Sequence, residues 1–285
     1  MKRKVLEKGM KVLFLLMATV SILSVLLICI FMLMSGVPAI REIGLFNFLL
    51  GRKWSPSGNA YGIFPMIVGS VYVTGGAILV GVPIGLAAAI FLARFCPRKL
   101  YRPVKTFVDI LAGIPSIVYG FFGMTLLVPL VRTYFGGNGN SILTASLLLG
   151  LMILPTIISI TESSLRAVPE SYYEGALALG ATKERAVMTT VFPAAKSGIM
   201  AGIVLGIGRA IGETMAVIMV VGNQARLPSS ILDGVRTLTT NIVLEMGYAE
   251  GLHREALIAT GLVLFVFILI INLCFSLLNR RDEHE

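Results

Sequence analysis

Several stretches of this chain, two of them near its start, run without a charge for longer than a helix needs to cross a bilayer. Residues 12–35 are 24 positions with no Asp, Glu, Lys or Arg, and no such residue occurs between Trp54 and Ala93. A helix rises about 1.5 Å per residue, so about 20 apolar residues span a hydrocarbon core. In such a medium every backbone N–H and C=O must be satisfied internally, which leaves helices or closed barrels as spanning structures. Unbroken apolar runs of this length read as helices. Charged residues make up only 14% of the chain, against about 25% in ordinary soluble domains. The chain is therefore read as an all-α membrane protein.

Together with the other apolar runs, these two stretches predict six transmembrane helices: 12–35, 66–93, 107–131, 142–161, 197–222 and 256–279. The segment 1–11 is basic and precedes the first. A basic start followed by an apolar run resembles a secretion signal, but this run is too long and lacks a small-x-small exit. Pro83 is expected to kink the second helix, and Ile114–Gly120 is expected to lie inside the third. The net charge of +9 does not point to nucleic acid, because the basic residues flank apolar runs rather than alternate with aromatics. Lys and Arg number sixteen in the segments 1–11, 94–106, 162–198 and 280–285, against seven in the alternate segments 36–65, 132–141 and 223–255. Basic residues concentrate on the cytoplasmic side. The count predicts cytoplasmic termini, a cytoplasmic loop at 162–196, and external loops at 36–65 and 223–255. Trp54, the only tryptophan, suits a membrane boundary. Cys29, Cys96 and Cys274 have no metal-ligand spacing, and no disulfide is expected.

Within the cytoplasmic loop, Pro169 suits a first helical turn and Gly180 the left-handed residue that ends a helix. Thr182 suits the cap of a second short helix, which is expected to stop at Phe192-Pro193. Glu174, Gly175 and Ala176 offer a small, flat surface between them. In the fifth helix, Gly198, Gly202 and Gly206 recur every four residues and form one stripe, with Gly208 and Gly212 on another. Small residues let membrane helices pack closely, so this helix is expected to be central. Arg209 and Glu213 lie four apart, one turn apart on one face. Two readings stay open for them: an ion pair locking helices, or a pathway in which Arg209 meets an oxyanion and Glu213 holds it. Ser116 and Tyr119 either line that path or bond a neighbouring helix. The charged residues of 223–255 suit either contact with a binding protein or a plain solvated face.

The run Glu174-Gly175-Ala176, then Gly180, then Thr190-Val191-Phe192-Pro193 resembles the loop motif shared by permease subunits of bacterial ABC importers. Gly175 replaces an Ala of that motif and Thr190 an Ile. Gly208–Val217, Ile114–Gly120 and Tyr61–Pro65 further resemble the C-type permease family of the bacterial phosphate importer, and the likeness covers nearly the whole chain. The resemblance implies a type I ABC importer permease fold with its core at 66–279, and transport rather than catalysis. It implies that Glu174, Gly175, Ala176, Gly180 and Pro193 couple to an ATPase, and that inorganic phosphate is the substrate. It also implies partners: a second, A-type permease, a homodimeric ATP-binding subunit and an external phosphate-binding protein. No Gly-x4-Gly-Lys-[Ser/Thr] phosphate loop occurs here, so ATP and Mg are expected in the partner subunits and no cofactor in this chain. Another oxyanion, such as sulfate or molybdate, and an ion-coupled carrier using Glu213 are the alternatives.

Overall fold

The computed structural model describes residues 2–281. Most of the expected 280–285 tail lies outside them. The chain begins with α1 (Lys2–Ile43), which extends past both ends of the expected 12–35 span, and α2 (Leu45–Leu50). A short hairpin pairs β1 (Trp54–Ser55) with β2 (Ala60–Tyr61). Then come α3 (Phe64–Ile90), α4 (Arg98–Gly113), α5 (Ser116–Phe122), α6 (Val128–Phe135) and α7 (Ile142–Ala167). After α7 lie α8 (Glu170–Ala178), α9 (Lys183–Ala186), α10 (Phe192–Ala194) and α11 (Lys196–Gly212). The chain closes with α12 (Met215–Val220), α13 (Leu238–Glu245) and α14 (Gly251–Arg281).

Five helical segments among the described residues are individually long and apolar enough to cross a membrane: Gly9–Ile43, Phe64–Phe95, Ser116–Phe135, Ile142–Ala167 and Gly251–Cys274. The sixth is α11, joined through a 74° bend to the segment Lys183–Ala194. The third span therefore starts at Ser116, not at 107. Pro115 cannot donate a backbone hydrogen bond, and Ile114 takes an extended conformation ahead of it. The fifth span is not continuous over 197–222 either, because Glu213 leaves the helix with φ −69° and ψ 129°. Pro83, by contrast, sits within a helix that continues to Ile90 and then loosens into a π turn over Phe91–Phe95.

Local chemistry sets several ends. Ser141 caps α7 by accepting from the Thr144 N–H at 3.2 Å. Thr237 and Thr240 form a reciprocal capping box at the start of α13. The chain turns from α6 to α7 through Gly136, Gly137 and Gly139, all at positive φ.

Of the five single-helix spans α7 is the most enclosed, 67% buried over its most apolar stretch against 0% for α1. It lies between α3 and α11. The glycine stripe of α11 faces it: a Cβ at Gly202 would meet Thr161 Oγ1 at 3.2 Å, one at Gly206 would meet Ile157 Cγ1 at 2.9 Å, and one at Gly198 would strike Ser164. From the other side, a Cβ at Gly85 would meet Ile157 Cγ2 at 2.9 Å. The central position expected for the fifth helix thus belongs to the fourth, and α11 has a second, open face. A separate cluster, built on Phe48, Trp54, Tyr61, Ile63, Met66, Leu238 and Leu257, ties the hairpin and the start of α3 to α13 and α14.

Gly206→Ala forces a Cβ against Ile157, whereas Gly208→Ala meets nothing within 4 Å. The gain in helix propensity is common to both, about 1 kcal/mol. Their difference in thermal unfolding therefore isolates packing, and Gly206→Ala is expected to be the less stable by about 1–3 kcal/mol. Equal midpoints would contradict the close α7–α11 contact.

Candidate functional site

The loop between α7 and α11 is built as its punctuation foretells, with one difference at its end. Pro169 is the N-cap of α8, one residue ahead of the first turn expected for it, and Gly180 ends that segment at φ +85°, in the left-handed region that glycine adopts without strain. The Thr182 hydroxyl accepts from the Arg185 N–H at 3.3 Å. The chain does not stop at Phe192-Pro193. Pro193 fits the first turn of α10, where its missing N–H costs nothing, and the bend falls at Ala195. No residue of α8 is buried. Glu174 and Gly175 are exposed and Ala176 is half-buried. Beside them Leu179 is 91% exposed, and Tyr172 and Met188 are also exposed. Sequence reasoning passed over this apolar tip, although a leucine directly before a helix-ending glycine was a visible signal.

The loop is held to the bundle by charge. Arg94, at the end of α3, bonds Glu170 Oε2 through Nη1 at 2.8 Å and the Leu165 carbonyl through Nη2 at 2.9 Å. Its guanidinium also lies 5.7 Å from the centre of the Tyr173 ring. Arg166 reciprocates, donating to the Leu92 carbonyl at 2.9 Å. Buried Glu162 binds Tyr101 Oη at 2.7 Å, Arg166 Nε at 2.9 Å and Lys105 Nζ at 3.2 Å. These contacts join α3, α4, α7 and α8 at one end of the bundle. Underneath, Leu165, Val168, Val191, Ala195 and Ile199 form an apolar cluster.

The second group of residues lies at two broken helices. The chain leaves helical geometry at Ile114-Pro115 and at Glu213-Thr214, and the short helices that follow, α5 and α12, pack on each other. A Cβ at Gly120 would meet Met219 Sδ at 2.7 Å and Ala216 Cα at 3.0 Å. Non-helical backbone within a span is tolerated where protein or a water-filled cavity surrounds it. The freed groups are met locally. The Tyr119 hydroxyl donates across the first break to the Leu111 carbonyl at 2.9 Å. At the second break, the Glu213 carboxylate accepts from the N–H groups of Thr214 at 3.1 Å and Ala216 at 3.2 Å. The Glu213 carbonyl accepts from Thr239 Oγ1 at 3.2 Å.

The expected pairing of Arg209 with Glu213 does not form. Glu213 has left the helix, so four-residue spacing no longer puts the two on one face, and its carboxylate caps α12 instead. Among the described residues no carboxylate lies within ion-pair distance of Arg209. Arg209 is exposed on the open face of α11, where added Cβ atoms at Gly208 and Gly212 meet nothing within 4 Å. Tyr119 lies within electrostatic reach of it. Ser116 is half-buried in the first turn of α5 and is not brought against Arg209 by any hydrogen bond.

The far end of the bundle holds a third polar group. Trp54 is 8% exposed, and its indole N–H donates to Glu245 Oε2 at 2.8 Å. Arg236 Nη1 lies 2.6 Å from Glu245 Oε1, and His253 Nε2 lies 2.8 Å from Oε2. Burial pushes the Glu245 carboxyl up, but the hydrogen bonds from Trp54, His253 and Arg236 and the Arg236 charge outweigh it, and its pKa falls below the ordinary carboxylate value. Half-buried Asp233 is also held below its ordinary range, by bonds from the Ser229 hydroxyl and the N–H groups of Ser229 and Ser230. Part of the charge between 223 and 255 is thus internal structure, while Arg226, Glu250 and Arg254 stay exposed.

A family of binding-protein-dependent transport system inner membrane components matches residues 81–283. The chain belongs to that family. It is 38% identical over 276 residues to a protein of Bacillus subtilis (strain 168) described as a probable ABC transporter permease, YqgH, covering 93% of this chain and 88% of the relative. It is 38% identical over 259 residues to the phosphate transport system permease protein PstC of Mesorhizobium japonicum, covering 83% and 79%. The fold is that of type I ABC importer permeases. A bacterial alginate ABC transporter solved with an alginate pentasaccharide-bound periplasmic protein superposes with TM-score 0.68 at 16% identity, covering 94% of each chain. The inward-facing MetNI methionine transporter does so with TM-score 0.60 at 21% identity, covering 75% and 93%. The chain is a non-catalytic permease subunit of an ABC importer and a multi-pass membrane protein.

Because the folded Glu245 pKa is lowered, its stabilisation is complete above the ordinary value of 4.5 and drains away as pH falls through the lower folded value. Glu245→Ala leaves Arg236 without its carboxylate and the Trp54 N–H without its acceptor, and is expected to cost about 3 kcal/mol at neutral pH. Thermal unfolding at neutral and acidic pH checks both statements: the variant starts lower and loses less on acidification. An unchanged midpoint, or an identical acid profile, would contradict the buried cluster.

Proposed function

We propose that this chain is one permease half of an ATP-driven importer of inorganic phosphate. The observation that carries the reading is Arg209: a cation in an apolar span, without a carboxylate partner among the described residues, on the open face of a helix that breaks one turn later. Charged groups within spans face a cavity or a partner rather than lipid. A guanidinium presents planar paired donors that match an oxyanion, and a carboxylate beside it would compete with that ligand. Glu213 then acts by holding the break in shape, and Tyr119 by bridging the other break. Ser116 stays a pathway candidate by position.

Phosphate as the substrate is supported by the PstC proteins among the relatives, at 35–38% identity. The YqgH protein carries a generic description, and the alginate and methionine transporters move other solutes, so sulfate or molybdate is the competing substrate class. An ion-coupled carrier is the weaker alternative. Broken helices suit carriers too, but they do not need an exposed loop of the α8 kind.

The excess of Lys and Arg at the α8 end supports cytoplasmic termini and a cytoplasmic α8 loop. Glu174, Gly175, Ala176, Gly180 and Pro193 then meet a homodimeric ATPase that binds ATP and Mg, with Leu179 at the centre of the contact. A second, A-type permease covers the open face of α11, and an external phosphate-binding protein docks on the opposite end. ATP binding draws the α8 loops together and opens the pathway outward, and hydrolysis reverses it.

Uptake by the assembled transporter tests the site. Losing a charge-assisted contact costs about 1.5–3 kcal/mol, so Arg209→Ala is expected to lower phosphate uptake at limiting substrate at least about tenfold, with sulfate poorly taken up throughout. Full phosphate uptake by Arg209→Ala would remove the site. Uptake that survives deletion of the ATPase would favour the carrier.

A further inference from the structure

We propose a binding site for an anionic phospholipid headgroup where α3 ends and α4 begins. An open cavity of about 610 Å³ lies there, lined by Arg94, Arg98, Lys99, Tyr101, Arg102 and Arg166 among others. The charge around it is unbalanced. Arg94 and Arg166 are committed to Glu170 and Glu162, and Lys105 to Glu162. Arg98, Lys99 and Arg102 have no carboxylate within ion-pair distance among the described residues.

The placement of those three cations is electrostatically perverse unless an anion joins them. They occupy the first turns of the sixteen-residue α4, the positive end of its dipole, where acidic residues are favoured and none occurs. Its cap is Pro97, which supplies no side-chain acceptor. A second observation points the same way. The Arg94 side chain is only 9% exposed, and its Nε is buried without any hydrogen-bond partner although the other guanidinium nitrogens are bonded. A buried charged donor left unmet is costly and calls for an acceptor. A phosphate group in the cavity, which Arg94 also lines, brings negative charge to the three unpaired cations and to this guanidinium.

The surroundings identify the kind of phosphate. Phe91, Phe95 and Leu100 are exposed around the cations, at 41%, 37% and 45%. Phe91 and Phe95 belong to the span that ends there. Apolar side chains beside unpaired cations at the end of a span match a molecule with an acyl part and an anionic head, and each such cation adds about 1 kcal/mol of attraction to an anionic membrane surface. A free anion has no use for the apolar rim.

The full transporter, reconstituted in nanodiscs of phosphatidylethanolamine with phosphatidylglycerol and then delipidated, is examined by native mass spectrometry. The wild type is expected to retain phosphatidylglycerol in preference to phosphatidylethanolamine. Arg98→Gln with Lys99→Gln and Arg102→Gln is expected to weaken that retention by about a hundredfold. Arg98→Lys with Arg102→Lys, which keeps the charge, is expected to preserve most of it. Equal retention by the triple Gln variant overturns the site. So does displacement of the lipid by millimolar inorganic phosphate, which would assign the cavity to the free anion. Loss of the ATPase subunit from the triple variant with lipid retention intact would make the patch a protein contact instead, and equally ends the proposal.

Discussion

The structure depends on how closely α7 is approached by its neighbours. Helices in lipid gain little from burying apolar side chains, since the acyl tails offer the same contact. What remains is close packing, and α11 achieves it by presenting no side chain at Gly198, Gly202 and Gly206 where Ser164, Thr161 and Ile157 stand. The same Ile157 also fills the space left by Gly85 of α3. Three spans are thereby locked into one unit whose glycine contacts involve no charge, and at one end Arg94 and Arg166 add bonds to the Leu165 and Leu92 carbonyls. The charges are kept for its ends, where Arg94, Arg166 and Glu162 fasten α4 and α8, and where Glu245 gathers Trp54, Arg236 and His253.

A locked unit of this kind makes the broken helices useful. The breaks at Ile114-Pro115 and Glu213-Thr214 immediately precede α5 and α12, which pack on each other beside α7 rather than within its glycine contacts. Their loose backbone groups are tied by short-range bonds from Tyr119, Glu213 and Thr239, so the breaks hold a fixed shape. Arg209 is left out of every such bond. In the proposed cycle this separation lets the bundle move as a body while one cation stays available to the substrate.

The elements that could be read from the sequence were those fixed by neighbours along the chain. Apolar runs located the spans, Pro169, Gly180 and Thr182 located the turns around α8, and the four-residue glycine spacing located the packed stripe of α11. Features decided across the chain were hidden. Spacing put Arg209 and Glu213 on one face only while the helix continued, and the break that separates them is stabilised by Thr239 from the first turn of α13. Which helix is central depended on what lies opposite the glycines, and α7 itself carries only Gly150 within its span. Trp54 suited a membrane boundary by type, but its indole N–H is taken by a carboxylate 191 residues away. The ends of the third span were misplaced because α4 is amphipathic and Pro115, not the loss of apolar character, ends it.

In the proposed cycle α8 is rigidly fastened to α7 through Arg94 and the α7–α11 contact, so that a partner gripping α8 moves the whole bundle. Spin labels at Tyr172 on α8 and Leu151 on α7, both exposed, report their separation by pulsed electron resonance in the assembled transporter. A rigid unit requires one distance distribution, unchanged between the nucleotide-free and ATP-bound states, while labels on the two permeases move relative to each other. A Tyr172–Leu151 distance that shifts with ATP would mean that α8 swings on a hinge, and the bundle could not then be its lever.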